Sequence, residues 1–297
     1  MSKQFRPRLS EHEYNELLEK RRGNGVAITK KQIPANFLKI PKILVFDIET
    51  LYAKAEIWHT GKQRINHQQI TQESCLLAWS GKWLYDSEVH GDVLTPDEAR
   101  ERNDERIVRS AWKMLEDCDV AIGHNLKNFD IRFINGRFWG HHINPPTPYQ
   151  VIDTLIEYRK VMRILSYRLD YISLLIQQKG KLETDYNLWQ RCDKGEQEAL
   201  DYMLKYNKED VLIGEEAYVE LRPWIKSHPN LYIIGESNEK CCVHCGSTDL
   251  QETNSFYVTP AGRYRVIRCN TNGCLNRERV SDLTLVDKKN LLISTAR

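Results

Sequence analysis

The chain has 297 residues, of which 41% are hydrophobic and 28% charged, and its formal net charge at pH 7 is +2. This length suits one substantial domain with a small appendage, and the composition is that of an ordinary globular protein. No segment approaches the roughly 18–20 apolar residues that a membrane span needs. The charged first residues are followed by no apolar run, which excludes a secretory signal. We therefore expect a cytoplasmic protein without a membrane partner.

The charge is unevenly distributed along the chain. Residues 1–42 carry ten Lys or Arg and four Glu, a balance of +6, and residues 236–297 carry nine basic and seven acidic residues, a balance of +2. Subtracting both from the total of +2 leaves residues 43–235 at −6. Basic ends around an acidic middle suit a carboxylate-lined metal site with arms that bind nucleic acid. Ordinary solvated surface charge gives the same distribution.

The first part of the chain predicts a basic lead followed by strands. A capping box at Ser10 predicts a short helix over residues 10–22, within an N-terminal segment that we place at residues 1–41. The apolar run Ile43–Phe46 predicts a central strand. Two further strands, rich in residues that favour β structure, are predicted at residues 75–80 and 83–90.

The middle of the chain alternates helical periodicity with short apolar runs. Thr95 and Pro96 indicate a helix start, and short buried strands are expected at residues 119–122 and 151–152. Longer helices are predicted at residues 104–115, 129–139, 154–161, 169–178 and 196–221. Alternation of this kind is typical of an α/β domain, which we place at residues 42–226, with a linker at 227–237.

Two carboxylates end the first predicted strand. Asp47 and Glu49 are two residues apart, so a strand directs both to the same face. The two charges repel each other unless a cation compensates, and hard oxygen ligands suit Mg²⁺ or Mn²⁺. Taken alone this D-x-E pattern is a weak signal, because acidic residues are common at strand ends.

Two other stretches place acidic residues where metal ligands are plausible. Residues 123–130 run from a short strand through a polar loop to Asp130 at a helix start. An acidic residue is also common in the first turn of a helix that binds no metal. Tyr206 and Asp210 are four residues apart and share one helical face. A tyrosine hydroxyl beside a metal-bound carboxylate can orient a water molecule, although a surface acid beside a half-buried tyrosine is the simpler account.

In combination the three motifs resemble the DEDD superfamily of 3′→5′ exonucleases. D-x-E at 47–49, H-N-x-x-x-F-D at 124–130 and Y-x-x-x-D at 206–210 occur in the order of that family, and tyrosine in the third motif resembles its DEDDy branch, which includes proofreading domains of DNA polymerases. Residues 166–172 are similar to the segment between the second and third motifs. The resemblance covers residues 42–224 and extends more weakly to uncharacterised exonuclease-like proteins of bacteriophages, which implies the host cytoplasm.

The resemblance implies a fold, a cofactor and a set of roles. The fold is ribonuclease H-like, α/β, with a mixed five-stranded sheet flanked by helices. By similarity two Mg²⁺ or Mn²⁺ ions are bound: Asp47 bridges them, Glu49 and Asp210 complete the nucleophile-side ion, Asp130 supports the second ion, and Tyr206 orients the water. The candidates for contacts with the substrate strand are Thr50, Leu51, Asn125 and Phe129. The favoured substrate is DNA with a free 3′ end.

Five of the eight cysteines lie between residues 241 and 274. Cys242 and Cys245 form a C-x-x-C-G knuckle, and Cys269 and Cys274 supply a second pair with four intervening residues. Without a secretory signal such a cluster favours one structural Zn²⁺ over disulfides, so we predict a zinc ribbon over residues 238–297. The spare potential ligands are Cys241 and His244.

The predicted ribbon also carries basic and aromatic residues. Arg263, Tyr264, Arg265 and Arg268 follow one another along a predicted strand, and strands are expected at residues 255–259 and 264–269. Arginine beside aromatic rings can hold phosphates and stack on bases. Docking of replication or repair proteins is the rival interpretation.

Two alternatives to an exonuclease stay open on sequence alone. One is a structure-selective endonuclease on the same fold. The other, from a different functional class, is a non-catalytic nucleic-acid-binding or replisome-adaptor protein. The presence of all five side chains of the three motifs argues against the second, and the spacing of Tyr206 and Asp210 favours the exonuclease over the first.

Overall fold

The computed structural model describes residues 38–176, 184–259 and 262–279. All of them belong to a compact unit that spans Ile33–Arg297. The helix predicted at residues 10–22 lies outside the described residues. No helix in the described part of the chain is long and apolar enough to cross a bilayer.

The centre of the fold is a mixed five-stranded sheet. The strands before the C-terminal region are β1 (Ile43–Leu51), β2 (Lys54–Ala55), β3 (Ile70–Gln72), β4 (Cys75–Trp83), β5 (His90–Val93), β6 (Val120–Gly123) and β7 (Gln150–Asp153). The sheet order is β5-β4-β1-β6-β7, and β2 and β3 form a separate antiparallel pair. β4 is antiparallel to β1 and β5, whereas β6 is parallel to β1 and β7. The predicted fold class is confirmed.

Helices flank this sheet. They are α1 (Pro96–Glu101), α2 (Glu105–Glu116), α3 (Asp130–Gly140), α4 (Thr154–Val161), α5 (Leu169–Leu175), α6 (Tyr186–Asp193), α7 (Gln197–Leu221) and α8 (Leu231–Ile234). α1 begins with the capping box of Thr95 and with Pro96 in its first turn, as the sequence predicts. α6 was not predicted, and its start is capped by Asp185.

β1 is buried on both faces, which explains its continuous apolar sequence. Leu44 and Phe46 pack into one hydrophobic cluster, and Ile43 and Val45 pack into the other, because successive strand residues point to opposite faces. α7 contributes to both clusters, the first through residues of its N-terminal half and the second through residues of its C-terminal half. A strand fixed from both sides is a rigid support for the side chains at its end.

The strand predicted at residues 83–90 is wrong. β4 ends at Trp83, and the chain then turns through Tyr85, whose φ is +69°. The Asp86 backbone N–H donates to the Trp83 carbonyl at 2.9 Å, and the Asp86 carboxylate accepts from the N–H of Ser87. This local turn ends the strand despite its β-favouring sequence, and the next strand begins only at His90.

The C-terminal region forms a second, three-stranded antiparallel sheet. Its strands are β8 (Leu250–Thr259), β9 (Gly262–Cys269) and β10 (Leu275–Arg279), in the order β10-β9-β8. β10 was not predicted. We call residues 241–279, with their cysteines, the cysteine ribbon. The one-turn helix α8 precedes it, and the Leu231 N–H donates to the Val243 carbonyl at 2.8 Å, which ties the segment before the ribbon to the first cysteine knuckle.

Asp104 anchors three elements on one side of the sheet. It is fully buried, and its carboxylate accepts from the Leu76 N–H at 2.7 Å and from the Arg137 guanidinium at 2.7 Å through two nitrogens. His141 Nε2 lies 2.6 Å from the same carboxylate. The start of β4, the loop before α2 and the end of α3 are therefore held by one group.

We expect Asp104→Ala to destabilise the protein by about 3 kcal/mol, because buried hydrogen-bond donors and a partly buried guanidinium lose their acceptor. Asp97→Ala is the matched control, since Asp97 pairs with Arg100 on the surface of α1 and such pairs contribute little. Urea unfolding followed by circular dichroism measures both. Equal midpoints for the two variants would contradict the role of Asp104.

Candidate functional site

The three sequence motifs meet beside the second half of β1, which extends beyond the predicted strand and includes both Asp47 and Glu49. One carboxylate oxygen each of Asp47, Glu49 and Asp210 lies within 4.8 Å of the other two, and Asp210 is buried on α7. The pairing of β1 with β4 is irregular between Glu49 and Thr50, as is frequent next to active sites. The strand β1 supplies two neighbouring acidic groups, and the helix α7 adds a third from a distant part of the chain.

Asn207 fixes the orientation of Asp47. Its Nδ2 donates to Asp47 Oδ2 at 2.7 Å, and Asn207 is fully buried. Asn207 precedes Asp210 by three residues, so the two side chains share one face of α7. Asn207 was not among the predicted site residues, although its spacing from Asp210 places both on one helical face.

Asp130 approaches the site from α3 without joining the three-carboxylate cluster. It is 3% exposed, and its Oδ1 accepts from the Ile48 N–H, between Asp47 and Glu49, at 3.1 Å. Burial raises the pKa of Asp130 to about 7, and the charge of Asp153 adds to the shift, whereas the Ile48 N–H opposes it. A bound cation would favour the ionised form.

Tyr206 lies one helical turn before Asp210 on α7 and is 7% exposed. Most of its surface packs in the same hydrophobic cluster as Phe46 and Ile48 of β1. Its position on the face of α7 that carries Asp210 is the one its spacing predicts.

Asp153 and His124, which the sequence analysis left without a role, organise the loop before Asp130. The Asp153 carboxylate accepts from the backbone N–H groups of Asn125 at 3.1 Å and Lys127 at 3.0 Å. His124 Nε2 lies 2.7 Å from the Tyr167 carbonyl, which connects the second motif to the segment at residues 166–172. In the sequence, the position of Asp153 directly before the helix predicted at residues 154–161 could have marked it as a cap, which it is.

The four predicted strand-contact residues differ in accessibility. Thr50 and Asn125 are half-buried, and Phe129 is 43% exposed. Leu51 has no exposed surface and packs in the hydrophobic core. We therefore correct the prediction by withdrawing Leu51 as a direct contact, because a side chain without accessible surface cannot touch a strand in this conformation.

The cysteine ribbon gathers four thiols. The Sγ atoms of Cys242, Cys245 and Cys274 all lie within 4.8 Å of one another, and Cys269 Sγ lies 3.7 Å from Cys245 Sγ. Four sulfur ligands around one point suit a tetrahedral Zn²⁺. Cys241 is not part of this group.

The spare ligand His244 is not part of this group either, and its ring stacks on His228 with centroids 4.8 Å apart. His228 Nε2 lies 2.7 Å from the hydroxyl of Tyr218, near the end of α7. Burial lowers the pKa of His228 to about 3, and nearby His244 adds to the shift. A row of three rings therefore connects α7 to the first cysteine knuckle.

Arg222, directly after α7, is a fully buried cation beside this row. Its Nη1 donates to the Tyr85 hydroxyl at 2.7 Å, and its guanidinium lies 5.6 Å from the centroid of the Tyr218 ring. Nε and Nη2 have no hydrogen-bond partner among the described residues. Burial opposes its charge, yet Tyr218, Tyr85 and Cys245 together raise its pKa above the usual value.

Comparison with known protein families finds one similarity, which lies in the α/β part of the chain. A family model described as RNase_H superfamily matches residues 75–221, just under half of the chain, from β4 to the end of α7. Residues 75–221 are therefore similar to the RNase_H superfamily, and this similarity supports a nuclease-type function with nucleic acid as the substrate. The matched residues include Asp130 and Asp210 and four strands of the five-stranded sheet. The fifth strand, β1, carries Asp47 and Glu49 and lies outside the match. No curated protein matches the chain.

We expect Asn207→Leu to weaken Mn²⁺ binding and lower any metal-dependent activity about 10- to 100-fold, because Asp47 loses the donor that orients it. The matched control is Lys205→Ala, an exposed position on the same helix. Calorimetric Mn²⁺ titration of both variants checks the prediction. Unchanged Mn²⁺ affinity in a folded Asn207→Leu protein would mean that the hydrogen bond is incidental.

Proposed function

We propose that this protein is a metal-dependent 3′→5′ exonuclease that hydrolyses phosphodiester bonds, with DNA as the favoured substrate. The observation that carries the proposal is the cluster of Asp47, Glu49 and Asp210, whose oxygens lie within 4.8 Å of one another in an RNase H-like domain. Three carboxylates at this separation repel one another and lose hydration, so a divalent cation is the natural partner.

The donor set fits Mg²⁺ or Mn²⁺, because all candidate ligands are hard carboxylate oxygens. We propose that Asp47 lies between two ions, that Glu49 and Asp210 hold the ion on the nucleophile side, and that Asp130 supports the other. When bound, two such ions activate water and stabilise the leaving oxygen of a phosphodiester.

The other residues of the site position the reactants. Asn207 holds Asp47 in one orientation through its hydrogen bond. We assign to Tyr206 the orientation of the attacking water, on the strength of its place one turn before Asp210. Three partly exposed residues are close in sequence to the carboxylates: Thr50, Asn125 and Phe129. We assign to them contacts with the 3′-terminal nucleotides.

The direction of cleavage is inferred from the resemblance to DEDDy exonucleases, whose tyrosine spacing matches Tyr206 and Asp210. An endonuclease on the same fold is the second candidate. The hypothesis of a non-catalytic adaptor is less well supported. Burial of the Asp130 and Asp210 carboxylates costs desolvation free energy, which a protein that only binds nucleic acid has no reason to retain.

The decisive assay uses 5′-labelled single-stranded DNA and RNA with Mg²⁺ or Mn²⁺. We expect a ladder that shortens from the 3′ end, with faster cleavage of DNA. Asp47→Asn and Asp210→Asn should each lower the rate on the order of 10²–10³-fold or more, because the cation site loses charge. Asp201→Asn, at an exposed position of the same helix, should leave the rate unchanged.

Each competing function gives a different product pattern. A few discrete internal cuts, insensitive to a blocked 3′ end, would identify an endonuclease. Tight binding of the strands without any shortening, in the presence of either metal, would identify an adaptor. Wild-type rates for Asp47→Asn would overturn the assignment of the site.

The proposal includes one structural Zn²⁺ in the cysteine ribbon, held by Cys242, Cys245, Cys269 and Cys274. Four thiolates around Zn²⁺ carry a net charge of −2, and the buried guanidinium of Arg222 is suited to compensate part of it. The metal would then stabilise the region at the end of α7 as well as the ribbon.

We expect Arg222→Met to lower Zn²⁺ affinity about tenfold, because the thiolates lose a compensating cation. Arg265→Met is the matched control, since Arg265 forms an ion pair with Glu252 on the ribbon surface. Competition with a chromogenic chelator measures both affinities. A purified protein with less than one Zn²⁺ per chain, or equal affinities in the two variants, would contradict this account.

A further inference from the structure

A groove of about 600 Å³ separates the end of α7 from the cysteine ribbon. One wall follows the end of α7 and includes Trp224, Lys226 and His228. The other wall belongs to the ribbon sheet and includes Tyr257, Leu275 and Arg277. The proposed exonuclease site does not account for this groove.

The strand register sorts the ribbon side chains into two faces. Residues paired directly across antiparallel strands share a face. Tyr257 pairs with Tyr264, Tyr264 with Arg279, Val266 with Arg277, and Arg268 with Leu275. Because side chains alternate along a strand, all of these lie on one face, which we call the groove face: Tyr257, Tyr264, Val266, Arg268, Leu275, Arg277 and Arg279.

The two faces differ in their carboxylates: among the described residues Glu252 and Glu278 lie on the opposite face, together with Arg263 and Arg265. On the opposite face, Arg265 is neutralised by Glu252 at 2.9 Å and lies 4.0 Å from Glu278. The described residues of the groove face include Arg268, Arg277 and Arg279 and no carboxylate. None of these three arginines forms an ion pair with a described residue. The wall after α7 adds Lys226 and, within residues 223–230, no acidic residue. The groove is therefore complementary to a polyanion.

Aromatic rings accompany these charges. Trp224 is 58% exposed and Tyr257 48% exposed, one on each wall. The Arg277 guanidinium lies 4.7 Å from the centroid of the Tyr257 ring. Exposed rings beside cations along a groove are the arrangement that binds single strands, because bases stack on the rings while phosphates meet the cations.

We propose that this groove binds single-stranded nucleic acid, with bases stacked on Trp224 and Tyr257 and phosphates held by Lys226 and Arg277. The proposal rests on the proposed function, since it assigns a second contact to the strand that enters the carboxylate site. In a single strand the phosphates match the cations of the groove and the bases match its aromatic rings. A protein partner would not require both features together.

The spacing of the two sites predicts a dependence on substrate length. Asp210 and Leu221 are eleven residues apart on α7, or about 16 Å at 1.5 Å per residue. A stacked strand advances about 3.4 Å per nucleotide, so about five nucleotides separate the two contacts. A dinucleotide reaches the carboxylate site alone, and a strand of about 20 nucleotides reaches both.

The chain supplies a matched pair of double variants for the test. Tyr257→Ala with Arg277→Ala removes a ring and a cation from the groove face. Phe256→Ala with Arg263→Ala removes an equivalent pair from the opposite face, where the Arg263 guanidinium lies 3.6 Å from the Phe256 ring centroid. Unchanged unfolding temperature and metal content confirm that both proteins are folded.

Binding is measured by fluorescence anisotropy with fluorescein-labelled oligothymidylate of about 20 nucleotides, in full-length protein carrying Asp47→Asn to prevent cleavage. We expect the groove-face variant to raise Kd about tenfold or more, and the opposite-face variant to change it less than twofold. The slope of log K against log salt should fall by about 0.7 when Arg277 is lost. Equal Kd values for the two variants, or no change in either, would overturn the proposal and leave the groove to a protein partner.

Hydrolysis separates this inference from the proposed function. Without Asp47→Asn, the groove-face variant should cleave a thymidine dinucleotide at the wild-type rate and a subsaturating 20-mer about tenfold more slowly. If the wild-type protein cleaves neither substrate, the exonuclease proposal fails, and the anisotropy comparison still decides the groove. If both substrates slow equally, the groove residues act on the carboxylate site, and the separate strand contact is refuted.

Discussion

Mutual repulsion among the carboxylates that β1 and α7 bring together is the constraint around which this fold is arranged. Asp47, Glu49 and Asp210 have oxygens within 4.8 Å of one another, although like charges at this distance oppose folding. Packing of α7 against the doubly buried strand β1 holds them there, and Asn207 fixes the orientation of Asp47. Packing of the hydrophobic core thus keeps the three carboxylates together against their mutual repulsion.

The sequence predicted those parts of the molecule that depend on local periodicity. Asp47 and Glu49 share a face because they are two residues apart on a strand, and Tyr206 and Asp210 because they are four apart on a helix. Local periodicity cannot show that these pairs converge; the resemblance to a family supplied that step. The convergence of the carboxylates agrees with it, while the catalytic roles of the residues remain predictions.

Features that depend on long-range contacts escaped prediction. Asp104 began a predicted helix, where an acid is ordinary, and its partners Arg137 and His141 lie more than 30 residues away. β10 gave no hydrophobic signal, since most of its residues are polar in a sheet that has little core of its own. The groove face could be recognised only after the register of three strands was known. The wrong strand prediction at residues 83–90 has the opposite cause, because there a local turn at Tyr85 overrides the strand propensity of the sequence.

The length of α7 has a consequence for how the gene can change. One helix carries Asn207 and Asp210 in its middle and Tyr218 near its end, so the carboxylate cluster and the contacts beside the cysteines share a single helical phase. Inserting or deleting one residue between Asp210 and Tyr218 would rotate one group relative to the other by about 100°. Related chains should therefore conserve the number of residues between these positions more strictly than their identity.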